Sequence, residues 1–313
     1  MNRRDLGLML ALAAVWGLSF LFLKIASPVV GPVVVAGVRV AGGAVVLTGW
    51  LLWQGSPWPA RRFWWPLMLT ALLSAVLPFM GLSYAARHIP AGLLSILNAT
   101  TPLWGALVAW LWAGQRLQAR QWVNLVAGFG GVAALVLARD DAHAPGAPVA
   151  AGWDTGLPPL AVLAALASTL MYALAVHQNK RQLAGLDPVS NSWGTLVAAS
   201  LMLAGPTVWL GPWPDAAHGA TVSASMGWAA VPATVWAALA GLAVLCTGLA
   251  YVWFYALLAR IGPTQVLLVT YLIPVFGMAW GALLLREVVT GRMLLCAALI
   301  VGSTVWAQRS PSR

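Results

Sequence analysis

"AGLLSILNATTPLWGALVAWLW", residues 91–112, is an apolar run without a charge, yet an amide, two adjacent threonines and a proline sit at its middle. The core of that run, NATTPLWG (Asn98–Gly105), has a counterpart in TYLIPVFG (Thr270–Gly277). At one offset of 172 residues (274 − 102), Pro102 pairs with Pro274, Gly105 with Gly277, Arg120 with Arg292 and Gly130 with Gly302. Tyr84-Ala85 pairs with Tyr255-Ala256 once one residue is inserted, and Pro32 and Pro188 each open an apolar segment. The chain therefore reads as two related units.

Composition decides what the units are made of. Of 313 residues, 61% are hydrophobic and 8% charged, whereas soluble domains carry about 25% charge. So little charge cannot coat a water-soluble surface, and the partner is the lipid bilayer. A net charge of +10 would suggest nucleic acid in a soluble protein. Here the cations mark topology instead, and no nucleic-acid partner is expected. Cys246 and Cys296 lie in apolar runs without metal-ligand spacing, so they read as buried thiols. No cofactor or metal is expected.

A membrane helix needs roughly 20 mostly apolar residues. Ten segments qualify: 6–27, 31–53, 63–86, 90–112, 120–138, 157–179, 188–211, 230–259, 261–285 and 290–308. The first follows a signal-like "MNRRD" but is long enough to span, and reads as an uncleaved helix. With the N-terminus inside, eleven of the 17 Lys and Arg fall on inner positions, among them Arg61, Arg62, Lys180 and Arg181. Four (Arg87, Arg139, Arg286 and Arg292) fall outside. The positive-inside rule thus puts both termini in the cytoplasm of an inner-membrane, multi-pass protein.

Five spans per unit is an odd number, so the second unit enters the membrane reversed. The expected fold is an all-α polytopic membrane protein with ten transmembrane helices in two inverted five-helix repeats. Residues 1–138 form the first repeat, 139–156 an external linker and 157–313 the second. Inverted repeats serve alternating access in secondary transporters, because two opposed units exchange roles at similar energy. One chain supplies both halves, so a monomer suffices.

This pattern resembles the drug/metabolite transporter superfamily, in its EamA-type ten-helix branch. The resemblance rests on "WGLSFLFLKIA" (16–26), "PVVVAGVRVAGGAVVL" (32–47) and the pair "LSYAARHIPAGLLSILNATTPLWGALVAWL" and "FYALLARIGPTQVLLVTYLIPVFGMAWGALLLRE". It implies transport of small metabolites, often export of amino acids or toxic compounds, with a central cavity lined mainly by helices 1, 3, 4, 6, 8 and 9. It also implies an acid after the fourth span in a "GE" pair. Gly114-Gln115 departs from this, while Arg286-Glu287 keeps the acid.

Polar groups at membrane depth are costly and mark function. Lys24 lies near the outer end of the first span, where it either snorkels or faces the cavity. Arg39 is eight residues into the second span, about 12 Å deep at 1.5 Å per residue. An arginine there is usual in the family, so a structural role competes with substrate contact. No Asp or Glu falls within the ten segments. Exchange of a proton for a cationic drug generally needs such an acid, so the cavity suits a carboxylated or amino-acid-like substrate. Asn98, Thr101 and Gly105 share one helix face, and Asn98, Thr100 and Thr101 can re-satisfy backbone freed by a kink at Pro102. In the second copy the corresponding kink is Pro274, on a face running through Tyr271, Pro274, Val275 and Met278. Trp16, Ser19, Tyr84, Tyr172, Tyr251, Tyr255 and Tyr271 complete the cavity candidates, as aromatic or hydroxyl groups able to orient an organic solute. His177 is weighed as a solvated helix-end residue against a proton relay.

Rival classes differ in what they need. A membrane enzyme needs acids, histidines or a metal, and only "RDDAH" (139–143) supplies a cluster, in a polar loop. The chain is therefore read as a non-enzyme with no catalytic residues. A lipid-carrier flippase or a drug efflux carrier on the same fold stays open.

Overall fold

The computed structural model describes residues 2–114, 116–137, 157–211, 227–266 and 268–308, and every regular element among them is helical. In lipid, backbone N–H and C=O groups must be satisfied within the segment, and a helix does this. The linker expected at 139–156 lies outside the described residues, as do Gln115, Asp140, Asp141 and His143.

Helix α1 covers Arg3–Gln54, and Asn2 caps it by accepting from the N–H groups of Arg4 and Asp5. Its 52 residues would reach about 78 Å if straight, against a hydrocarbon core of about 30 Å. Gly31, at φ 78° and ψ 161°, breaks it into two arms. That conformation is open to glycine and nearly closed to other residues. The gap expected between segments 6–27 and 31–53 is thus reduced to a single turning residue, and one helix carries both segments.

The chain then rises as one rod from Arg61 to His88. It comprises a 3-10 turn (Arg61–Phe63), α2 (Trp64–Ala71), a π turn (Leu72–Val76) and α3 (Leu77–His88). Helices α4 (Ala91–Asn98), α5 (Thr101–Ala113) and α6 (Ala119–Leu137) follow. Beyond the linker come α7 (Pro159–Gln182) and α8 (Pro188–Leu210), the latter capped by Asp187. Helix α9 (Ala233–Ala240) passes through a π segment (Gly241–Leu249) into α10 (Ala250–Val266), which Gly262 breaks at φ 77°. Helices α11 (Leu268–Leu285) and α12 (Gly291–Gln308) close the chain. The π turn at Leu72–Val76 maps, at the repeat offset, inside the π segment at Gly241–Leu249. Such bulges concentrate at functional sites.

Among the described residues, seven helical stretches are long and apolar enough to cross a membrane, and Gly291–Trp306 is a shorter apolar helix. The chain is a multi-pass membrane protein.

Helix ends meet in two separate sets. In one, the Asp5 carboxylate lies 3.5 Å from Arg260 and Ser190 Oγ donates to the Pro57 carbonyl at 2.6 Å. In the other, Lys24 Nζ donates to the Ile89 carbonyl, and the Ala91 and Gly92 N–H groups donate to Glu287.

Close helix approach in lipid depends on small residues, since burial of apolar surface no longer drives association. Gly277 of α11 shows this: a Cβ added there would meet the side chain of Ser95 on α4. A Cβ at Gly130 meets nothing. Gly277→Val is therefore expected to lower the thermal midpoint and the monodisperse yield in detergent, as overpacking by about 1–3 kcal/mol does, while Gly130→Val leaves both unchanged. Size-exclusion chromatography after heating reads the difference. Equal behaviour of the two variants contradicts a tight α4–α11 contact.

Candidate functional site

The apolar run of residues 91–112 is not one bent helix. Helix α4 ends at Asn98, Ala99 and Thr100 form a turn, and α5 begins at Thr101 with Pro102 in its first turn. Proline is at home there because first-turn N–H groups lack intrahelical partners anyway. The threonines close the break. Thr101 Oγ1 donates to the Asn98 carbonyl at 2.8 Å, the acceptor that the missing Pro102 N–H would have served. Thr100 Oγ1 donates to the Leu97 carbonyl at 2.7 Å and lies 3.1 Å from Thr169 Oγ1 of α7. Pro274, the paired proline, differs in being interior to an unbroken α11.

The break opens onto a cavity of about 500 Å³ between both arms of α1, α3–α5, α7, α10, α11 and the second π segment. Of the sequence candidates, Trp16, Ser19, Arg39, Asn98, Thr101, Pro102, Tyr172, Tyr251 and Tyr271 line it. Tyr255 lines an adjoining chamber of about 350 Å³ instead. Lys24, Tyr84 and Pro274 line neither. Lys24 is turned to the Ile89 carbonyl at 3.2 Å, Tyr84 packs on His88 with ring centroids 5.1 Å apart, and the Pro274 carbonyl faces Ser95. The expected α11 face also needs correcting. Tyr271 faces the cavity together with Thr270 and Ile273, whereas Val275 is 54% exposed and points away. Pro274 and Met278 are buried in the seam with α4.

Among the described residues, Arg39 is the one permanently charged side chain lining the 500 Å³ cavity. It is 8% exposed; its Nε donates to Thr247 Oγ1 at 2.9 Å and its guanidinium stacks 3.9 Å from the centre of the Phe79 ring. Thr247 in turn donates to the Leu242 carbonyl, five residues back in the π segment. That one hydroxyl both closes the π turn and holds Nε, which leaves the far edge of the guanidinium for other acceptors. Arginine's planar fork suits a carboxylate. His177 also lines the cavity, with Nδ1 2.9 Å from the Ala173 carbonyl of its own helix.

The described carboxylates are all committed elsewhere. Asp5 pairs with Arg260, Asp187 caps α8, and Glu287 accepts from the Ala91 and Gly92 N–H groups at 2.7 and 3.0 Å. Arg286, at φ 55°, turns the chain after α11 so that Glu287 meets the start of α4. The retained acid of "RE" is thus a helix cap across the fold, where a negative charge meets the positive end of the α4 dipole. No group of three metal-ligating side chains occurs among the described residues.

Several residues of these walls carry no separate sequence signal. Thr247 and Phe79 gain meaning only from the cation between them. Thr70, Ser74, Asn179, Asn191 and Thr195 fall together only because α2, α7 and α8 converge on the smaller chamber. Helical spacing of Thr70 with Ser74, and of Asn191 with Thr195, is the one hint that could have grouped them.

Comparison with known proteins agrees with this architecture. The profile of the EamA-like transporter family matches residues 5–137 and 159–307. The uncharacterized transporter YvbV of Bacillus subtilis is 26% identical over 294 residues, 93% of this chain and 87% of that protein. The uncharacterized inner membrane transporter YedA of Escherichia coli K12 is 28% identical over 130 residues, covering 40% of this chain and 41% of YedA. A solved crystal structure superposes over 100% of both chains with a TM-score of 0.61 at 17% identity, a likeness of fold alone.

Proposed function

From the premise that the chain belongs to the EamA-like transporter family, we propose that it is a secondary carrier that moves a small carboxylated or amino-acid-like metabolite out of the cell by alternating access. The observation that carries this is Arg39, a single fixed cation on the wall of a 500 Å³ cavity that no described carboxylate lines. A lone buried cation favours an anionic group, because its desolvation cost is offset only by a partner. Trp16, Tyr172, Tyr251 and Tyr271 offer flat apolar faces with polar tips to the rest of the solute. Asn98 and Thr101 offer neutral hydrogen bonds, so the charge requirement stays with Arg39.

The carrier's frame is ten crossings in two inverted repeats, residues 1–138 and 157–313, joined by an external linker at 139–156. Two family-matched segments, the paired prolines and the π turns at matching positions support it. Both termini are cytoplasmic. The Asp5–Arg260 and Pro57–Ser190 contacts then belong to the inner side, and the Lys24–Ile89 and Glu287–α4 contacts to the outer side. A single chain is the working unit, without a cofactor or a catalytic step.

Proteoliposomes loaded with labelled amino acids, organic cations or a fluorescent lipid analogue test this. Counterflow of carboxylated solutes alone is the expected result. Counterflow of cations alone, or movement of the lipid analogue alone, replaces it with drug efflux or lipid flipping.

A further inference from the structure

The smaller chamber lies at the inner ends of α2, α7, α8 and α10, on the orientation proposed above. It shares Tyr172, Val176 and Tyr251 with the main cavity, so these three side chains form the partition between the two. Its chemistry differs from its neighbour's. Nine of its thirteen lining residues carry a hydroxyl or an amide, and among the described residues Lys180 is the one charged member, exposed to solvent. Asn191 Nδ2 donates to Asn179 Oδ1 at 3.0 Å, and Ser192 bonds Tyr255, which ties α7, α8 and α10 into one polar wall. The Asp187 carboxylate, the nearby opposite charge, is engaged by Val189 N–H, Ser190 N–H and Ser190 Oγ at 3.0–3.1 Å.

Thr70 is the informative member of this wall. Its residue is 3% exposed, it lines the chamber, and its Oγ1 has no hydrogen-bond partner among the described residues. Ser74, one turn on, donates to the Thr70 carbonyl at 2.7 Å, so the backbone of that turn is satisfied and only the hydroxyl is left over. A buried hydroxyl without a partner costs about 1–3 kcal/mol. Such a group lies just behind the chamber's wall, a donor that a turn of the Thr70 side chain offers to a solute.

We propose that this chamber is a second, outlying binding site for the carboxylate end of the transported solute, with Lys180 drawing the anion in and Thr70 donating to it, before it passes the Tyr172–Tyr251 partition to Arg39. The proposal rests on the substrate class inferred above. Two cationic stations on one path give an anion a graded descent: an exposed ammonium that captures weakly, then a buried guanidinium that holds. Hydroxyls between them replace water as it is shed.

Charge-selective labelling tests the chamber without reference to transport. Ser74→Cys puts a thiol on its wall at little structural expense, since the serine hydroxyl bonds only its own helix. The purified protein is treated with an anionic (sulfonatoethyl) or a cationic (trimethylammonioethyl) methanethiosulfonate. Peptide mass spectrometry reads this position apart from Cys246 and Cys296, and rates are normalised to those of free 2-mercaptoethanol. The expected result is a preference of about fivefold for the anionic reagent, falling to near unity in Ser74→Cys/Lys180→Gln. Acetate at constant ionic strength should slow labelling by about half at millimolar concentration, a weak site, and Thr70→Val should remove that protection. Equal normalised rates, a preference indifferent to Lys180→Gln, or no labelling by either reagent at both Ser74→Cys and Thr195→Cys overturns the proposal. Anion preference in a protein that moves only cations would instead keep the chamber and sink the substrate class.

Discussion

Replacing Arg39 by glutamine should abolish the carrier's preference for a carboxylate over its carboxamide analogue. Truncating one partner of a desolvated charged pair costs about 2–5 kcal/mol, so kcat/KM for the carboxylate should fall at least about 30-fold. The carboxamide should be transported as before, because Trp16, Asn98 and the tyrosines proposed to receive the neutral part are untouched. This comparison separates substrate contact from a structural role. A misfolded or unstable variant loses both substrates together. Arg39→Lys keeps the charge but loses the fork and the flat stack on Phe79, so it should fall between the two, chiefly through a raised KM. Thr247→Val removes the Nε acceptor alone and should cost less than Arg39→Gln, since the charge stays in the cavity. Uptake of labelled amino acid and amino amide into proteoliposomes measures all four proteins. Unchanged carboxylate preference in Arg39→Gln would remove the main support for an anionic substrate.

What sequence could show here followed from rules with a simple physical basis. Apolar length marks the membrane-crossing helices because lipid thickness and backbone satisfaction leave few choices. Where the rules stop is equally physical. "SPVVGP" looks like a loop because prolines and glycine punctuate it, yet Pro28 sits inside α1 and the turn is Gly31 alone. Pro102 and Pro274 are equivalent letters in a repeat, but the threonines before Pro102 donate to the Leu97 and Asn98 carbonyls where one helix ends and the next starts, whereas Pro274 sits inside α11. The π turns have no sequence code, and with them goes the position of Thr247. Polarity at depth picked out eight cavity-lining residues, and the kink argument added Pro102. Polarity also gathered Lys24, whose partner Ile89 is 65 residues away and offers only a carbonyl, which no side-chain pattern announces.

Glu287 carries the second large effect. Its carboxylate receives two N–H groups at the start of α4, an element buried along nearly its whole length, and Lys24 stands close enough to feel its charge. Alanine there strands two buried donors and a cation at once. Each charge-assisted bond is worth about 1.5–3 kcal/mol, and the thermal midpoint in detergent should drop by about 5–10 °C for a loss of about 3 kcal/mol. Glu287→Gln keeps one acceptor and should lose roughly half as much. The coupling to Lys24 gives the sharper measurement. Lys24→Met alone gives up one bond to Ile89, while in Lys24→Met/Glu287→Gln neither charge is left without the other. The double variant should therefore be more stable than the sum of the single losses by about 1 kcal/mol or more. Additive midpoints would mean that the two groups brace α4 independently. A non-additive pair would identify one ionic seal joining α1, α4 and the α11–α12 turn. On the proposed orientation that seal closes the external end, so breaking it should also raise the labelling of the Asn98→Cys thiol from outside. A tightly sealed Glu287→Ala protein would leave the acid a helix cap and nothing more.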